Sequence, residues 1–357
     1  MFTHGMIDAR SLSLYLIRAV GGFALAKFIT RKQLRILCYH GLAVGDEYEV
    51  APHMFMRGAT FDRRMAILKK RGLPVISLDE AIQRFESQQI SRGETVITFD
   101  DGWASNLSIG WPILKKYGYP ACVYVTTEHL SAGTEVFNVV LSYLVRRSAK
   151  KSFTLAGVHP LVDGTYHIPD QPDELIVALI IAAEQAFPLT QRQEALRPIA
   201  RALGLDLGEV LYKDRFRLLT DTEIRALFHH GVDVQLHTHT HRLPEDAESV
   251  AAEIKQNRAA VTKITEHVPR HFCYPSGEYS HRHLEWLRGL GIVSATTCDP
   301  GLNGFSSSVL LLKRFLDSDS FTDISFEAEV CGVREIARAI RKRASTLFPR
   351  SVNPAAS

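Results

Sequence analysis

Val96-Ile97-Thr98-Phe99-Asp100-Asp101-Gly102 is an apolar run that ends in two adjacent carboxylates. The run reads as a buried strand, and such a strand fixes in space whatever its C-terminal end carries. Taken alone, Asp-Asp-Gly is also an ordinary turn sequence. Two neighbouring aspartates at one strand end repel each other, however, and the pair is costly unless a cation or a shared proton relieves it. A second strand-like run, Val232-Asp233-Val234-Gln235-Leu236, ends in His237-Thr238-His239-Thr240-His241. Imidazole and carboxylate groups together form the ligand set of a catalytic zinc-type site, where three protein groups leave a position open for water. Each cluster closes a buried strand, and the two together predict a metal site.

Working outward, strand signals recur near 35–39, 74–76, 95–99, 121–126, 232–236, 271–274, 292–297 and 309–315, with helix signals between them. Phe61, Met65 and Leu68 mark one apolar helix face closed by Gly72. Ser77 with Glu80, and Thr220 with Glu223, are capping-box patterns that open two further helices. Alternating strands and helices predict a parallel sheet.

The sequence resembles the polysaccharide deacetylase family, the nodulation-protein-B-like carbohydrate esterases, through three motifs in family order. T-F-D-D-G is matched in full at residues 98 to 102, and H-[ST]-x-x-H is matched by His237, Thr238 and His241. An aromatic stretch ending in P-x-G looks like Phe272-Cys273-Tyr274-Pro275-Ser276-Gly277. The resemblance covers roughly residues 34–135 and 218–320. It implies a fold of the α/β class, a distorted (β/α) barrel with seven or eight strands, here with a helical insertion.

The resemblance also implies roles. Asp100 is the catalytic base, and Asp101, His237 and His241 are the metal ligands, with zinc the default cation and cobalt or nickel compatible with the same donors. A carboxylate beside a bound divalent cation stays ionised at neutral pH and can accept a proton from water, which agrees with that division of labour. His239 shares a face with His237 and His241 in an extended segment, so spacing alone leaves it open as a ligand; the family pattern omits it. Two departures stand out. Cys273 occupies the place of an arginine that orients the catalytic Asp in common members, and the late L-x-H motif has no histidine in Leu310-Leu311-Leu312-Lys313-Arg314-Phe315. His40, after the strand-like run Ile36-Leu37-Cys38-Tyr39, is the candidate acid, because all strand C-termini of a barrel converge on one face. A histidine packed at a strand end is the competing reading.

Length and composition bound the rest. With 357 residues, 46% of them hydrophobic, the chain can bury one barrel core plus an insertion. A net charge of +3, without an Arg/Lys-aromatic motif, argues against nucleic acid as a partner. Five cysteines without close pairs fit buried thiols in a reducing compartment. The organisation expected is an apolar or amphipathic helical segment at 1–33, a barrel domain at 34–330 with a helical insertion at 136–217, and a basic helix and tail at 331–357. Inside the insertion, Glu174 to Phe187 and Gln191 to Leu203 read as helices, forming either a substrate-gripping lid or an extension of the core. Tyr143, Arg146 and Arg147 are candidates to face an anionic glycan.

Leu12 to Ile29 is apolar but interrupted by Arg18 and Lys27, short of a convincing span and without a small-residue cleavage site behind it. Flanking Arg31, Lys32 and Arg35 suit a helix lying on an anionic surface. Near the C-terminus Arg334, Arg338, Arg341 and Lys342 line one helix side and Val333, Ile336, Ala337 and Ile340 the other, which reads as a solvated basic face. The expected location is cytoplasmic, with peripheral contact at the inner face of a membrane. The function expected is hydrolysis of an N-acyl group, acetyl by default, on an amino sugar of a glycan or lipid-linked precursor in surface polysaccharide metabolism. A deformylase on a lipid-linked amino sugar and a catalytically silent glycan-binding relative are the alternatives.

Overall fold

In the computed structural model, which describes residues 9–128, 130 and 134–347, seven parallel strands curl into a barrel. They are β1 (Arg35–Tyr39), β2 (Thr95–Phe99), β3 (Cys122–Val125), β4 (Asp233–Leu236), β5 (His271–Cys273), β6 (Ser294–Thr296) and β7 (Phe315–Leu316). Across the sheet the order is β6-β5-β4-β3-β2-β1-β7. The chain leading into β7 closes the circle. Leu312 bridges Thr296 of β6, and three residues later Phe315 pairs with Leu37 of β1. One short segment therefore serves both edges, and no long barrel edge is left open to pair elsewhere. The eighth strand signal, at 74–76, gives only one bridge, Val75 to Thr95.

β1 and β2 are buried at every residue, as strands covered on both faces must be. Successive side chains alternate between the helical layer and the barrel interior. Leu37, Tyr39, Ile97, Phe99, Val123 and Val125 point outward into the core beneath the helices. Phe61, Met65 and Leu68 of the helix Gly58–Lys70 meet them there, each fully buried, and Gly72 ends that helix at φ +57°. Thr220 and Glu223 form the expected reciprocal cap, whereas Ser77 only accepts from the Glu80 amide.

The stretch between β3 and β4 builds most of a second apolar core, into which Phe55 and Trp103 also pack. It contains helices Phe137–Arg147, Asp173–Ala186 and Leu189–Leu203, and an antiparallel hairpin, Ser152–Leu155 with Gly164–His167, that the helical reading missed. All five cysteines are free thiols, and only Cys298 is partly exposed.

The terminal segments depart from their sequence expectations. Leu12 to Ile29 forms two helices, Ala9–Ala19 and Gly22–Ile29, bent by 83° at Gly21, whose φ is +80°. In the C-terminal helix Val333–Leu347, Arg334 and Arg338 turn inward onto buried Glu329, while Ile340 is 62% exposed. The expected solvated basic face is thus partly an ion-paired inner face, because Glu329 would otherwise be a buried charge without a partner. The tail beyond Leu347 and the first eight residues lie outside the described residues.

Candidate active site

Strand alternation decides which way the two carboxylates point. Val96 and Thr98 face inward, so Asp100, two residues on, continues into the barrel, where it is 2% exposed. There it meets Arg314, which is fully buried on the segment entering β7. The pairing is bidentate: Nη1 donates to Oδ1 at 2.7 Å and Nη2 to Oδ2 at 2.7 Å. Arg314 is itself fixed by donating from Nε to the Thr297 carbonyl at 2.9 Å. The thiols of Cys38 and Cys273 donate to Asp100 Oδ2 at 3.4 and 3.5 Å. Burial pushes the Asp100 carboxyl up, but the Arg314 guanidinium more than reverses this and holds it well below the ordinary carboxylate range.

The expected loss of an orienting arginine is therefore corrected. Cys273 does stand where that arginine was looked for, and Arg314 performs the task from a different strand. The signal was present in the sequence: an arginine inside the apolar run Leu310–Phe315 needs a buried partner. In a closed barrel that partner can come from across the interior, which a linear motif does not reveal.

Asp101 breaks the alternation. Its φ of +70°, unusual for a non-glycine residue, swings its carboxylate out of the barrel toward the strand ends. Oδ1 lies 3.4 Å from His237 Nε2 and 3.3 Å from His241 Nε2, while Oδ2 accepts from the Trp103 indole at 3.0 Å. The carbonyl of Cys273, which can only accept, lies 2.9 Å from His237 Nδ1. That nitrogen therefore carries a ring proton, and Nε2 is the ring atom turned toward Asp101. Burial alone would push the His237 imidazole down, yet Asp101 and Asp100 together raise it, a mark of excess negative charge. Asp101, His237 and His241 offer three donor atoms within 4.8 Å of one another. Such a donor set fits a divalent cation with an open position, so these three residues could hold a metal.

The loop from His237 to His241 is held from behind by a helix that the sequence reading passed over. In Ala247–Thr265, Val250, Ile254, Asn257, Val261 and Ile264 form one buried stripe with a single amide at its centre. Asn257 Oδ1 accepts from the His237 amide at 3.0 Å, and its Nδ2 donates to the Val125 carbonyl and to Thr127 Oγ1. Glu253 accepts from the amides of His239 and Thr240 at 2.8 and 2.9 Å. These bonds stabilise a loop in which Thr238 and His241 both have positive φ. His239 turns aside, with Nδ1 2.9 Å from Thr127 Oγ1, and does not join the donor cluster. Gly277 of the third motif is required sterically, since a Cβ there would lie 2.6 Å from that of Cys298.

His40 follows β1 on the same barrel end. Its Nε2 is 4.0 Å from Asp100 Oδ2, its side chain is 21% exposed, and its carbonyl accepts from Asn106 Nδ2 at 2.7 Å. The ring therefore borders the site rather than being packed away. A cleft of about 470 Å³ opens over Asp101 and His241. Phe137, Asn138 and Val139 from the inserted segment, with Glu184 and Arg192, form one of its walls. Tyr143, Arg146 and Arg147 are engaged within the chain. Tyr143 donates to Asp46 at 2.6 Å, Arg146 pairs with Asp173, and Arg147 with Asp46 and Glu49, so these groups tie the insertion together and to the segment after β1.

Comparison with known proteins agrees with this geometry. Residues 187–295, which include His237 and His241, match the family model for polysaccharide deacetylase. Over 94 residues the chain is 30% identical to YxkH of Bacillus subtilis (strain 168), which is named for the same family. The match spans 26% of this chain and 32% of that relative. The fold is similar to that of the Streptococcus pyogenes deacetylase PplD, solved in complex with acetate, with a TM-score of 0.56 at 16% identity over 84% of this chain and 98% of that one. It is also similar to IcaB from Ammonifex degensii, with a TM-score of 0.51 at 16% identity over 85% and 97%.

Proposed function

We propose that this chain, of which residues 187–295 match the family model for polysaccharide deacetylase, is a metal-dependent hydrolase removing an N-acyl group, acetyl by default, from an amino sugar of a glycan. The observation that carries the reading is the division of one Asp-Asp pair, with Asp100 locked to Arg314 and Asp101 aimed at His237 and His241.

In this reading Asp101, His237 and His241 hold the cation, with zinc the default and cobalt or nickel compatible with the same donors. When bound there, a divalent cation polarises the acyl carbonyl and acidifies the attacking water. Asp100 accepts the proton from that water. The fork of Arg314 keeps the carboxylate ionised and fixes both oxygens, so its orientation is set before substrate arrives. Its low proton affinity weakens it as a base, and an acidified water offsets that weakness. His40, beside Asp100 and partly exposed, is placed by this reading to protonate the departing amine. The wall contributed by the insertion narrows the cleft and limits the glycans that enter it. An intact base argues against a silent glycan-binding relative, which has no use for one.

The test is release of acetate from N-acetylated glucosamine oligomers by zinc-loaded protein, with N-formyl substrates run in parallel. Acetate release that falls about 10²–10⁴-fold in Asp100→Asn, with metal content unchanged, is the expected result. Formate release alone would move the assignment to a deformylase. No release from either, with metal bound, would favour the glycan-binding alternative.

A further inference from the structure

Eight of the sixteen exposed large apolar side chains among the described residues fall between Leu12 and Ile29. Val20 is 84% exposed, Leu16 62%, Phe28 61% and Leu25 60%. The opposite sides of the same two helices are buried against the barrel through Leu14, Phe23 and Ala26. Each helix thus has one face on protein and one apolar face left open. So dense an apolar patch on a chain's surface marks an interaction site.

Charge indicates what covers it. Residues 9–45 contain six Lys or Arg and no Asp or Glu, and residues 336–343 contain four and none. The two segments meet, because the C-terminal helix Val333–Leu347 packs against Gly22–Ile29. With those ten cations set apart from the overall +3, the rest of the chain carries a net −7. Some of this charge is neutralised or enclosed locally: Arg18 pairs with Glu327, Arg338 with Glu329, and Arg35 is buried in β1. Lys27 and Arg31 instead donate to neutral backbone carbonyls, at Gly72 and Phe28. The Arg31 guanidinium also lies 3.9 Å over the Phe28 ring, which sets a cation at the edge of an apolar anchor.

We infer that this two-helix face lies in the interface of an anionic lipid bilayer, with the aromatic and aliphatic side chains inserted and the cations at headgroup level. No single helix among the described residues is long and apolar enough to cross a membrane. The bend of 83° and the buried inner faces favour helices lying in the plane of the surface over a span. The attachment also has a direction. Gly22–Ile29 sits where the strands begin: Lys27 reaches the Gly72 carbonyl, and the Arg31 carbonyl accepts from Gly93 just before β2. The donor cluster and His40 lie where the strands end. A docked barrel therefore turns its cleft toward the aqueous side, and its substrate is a glycan reaching it from solution rather than a sugar lying at the lipid surface.

The test is co-sedimentation of the full chain with vesicles of phosphatidylcholine alone and of phosphatidylcholine with phosphatidylglycerol. Binding is expected to the anionic vesicles, to weaken in high salt, and to fall by at least about tenfold in a Leu16→Glu/Phe28→Glu double variant. The melting temperature of that variant should match wild type. Orientation is read with brominated lipids: a Phe28→Trp variant should gain quenching, while the native Trp103 in the cleft wall, Trp111 and Trp286 stay unquenched. Wild type that remains in solution, or equal sedimentation of the double variant, would overturn the inference. A wild-type dimer converted to monomer by the double variant would give the face to a second copy of the chain. Quenching of the native tryptophans on vesicle binding would overturn the orientation. None of these readouts needs acyl hydrolysis, so they stand apart from the test of the catalytic reading.

Discussion

Asp100 and Asp101 are neighbours in sequence and opposites in environment. The first continues the strand's alternation into the barrel and receives a built-in counter-charge, the bidentate guanidinium of Arg314. The second leaves the alternation through a positive φ and faces the Nε2 atoms of two imidazoles, His237 and His241. Two like charges at one strand end are tolerated because each has a separate remedy, one inside the fold and one at its mouth. A carboxylate neutralised by the fold stays ionised and oriented with or without a cation.

Removing a donor from the open side breaks this contrast most directly. His241→Ala leaves Asp101 and His237, two donors that cannot complete a site. Metal affinity should fall by more than the roughly 10–100-fold that loss of an outer partner costs, and turnover should fall with it. Metal analysis of the purified protein after dialysis reads this out. Because His241 is 45% exposed at its side chain, the melting temperature of the metal-free forms should barely change. Equal metal content in variant and wild type would remove Asp101, His237 and His241 as the ligand set.

On the closed side the same operation should strike the fold. Arg314→Met strands the Asp100 carboxylate in the barrel interior, and breaking a buried pair in this way costs about 3–5 kcal/mol. Denaturant unfolding of the metal-free proteins should show that loss, and Arg314→Lys, which keeps a charge but not the fork, should recover part of it. An Arg314→Met protein as stable as wild type would mean that Asp100 protonates or relaxes at little cost, and the pair would lose its place as a fixed element of the site.

Much of this is legible in the sequence. The apolar runs that became β1 to β6 announced themselves by composition, and the two clusters at strand ends fell together because parallel strands end on one face. Arg314 was not legible as Asp100's partner, since the pairing depends on which strand closes the barrel and in what register. Only the bridges Leu312 to Thr296 and Phe315 to Leu37 decide that. Asn257 had a readable signal, one amide in the middle of a stripe of Val and Ile, but its target lies twenty residues back along the chain. The hairpin between Ser152 and His167 was missed because its strands are four residues each and half exposed, too short for alternation to separate them from loop.

The smallest effect expected is at His40, which lies on the Asp100 side of the divide, 4.0 Å from Oδ2, and yet is 21% exposed at its side chain. If it donates the proton to the leaving amine, His40→Ala should keep both metal and stability while lowering turnover on an N-acetyl sugar by about 10²-fold, near the lower end for loss of a general acid. On an activated aryl acetate the loss should be smaller, because a phenolate leaves with less need of a proton than an amine does. A packing role makes the contrary forecast, a lower melting temperature and the same fractional loss on both substrates. Partial exposure of the ring already weighs against packing as its main task. The ratio of the two losses is the decisive quantity, since a general change in fold or metal content moves both rates together and cancels from it. A ratio near one would leave Asp100 and Arg314 as the only protein groups of the dry side engaged in the reaction, and the proton for the amine would then have to come back from Asp100 itself.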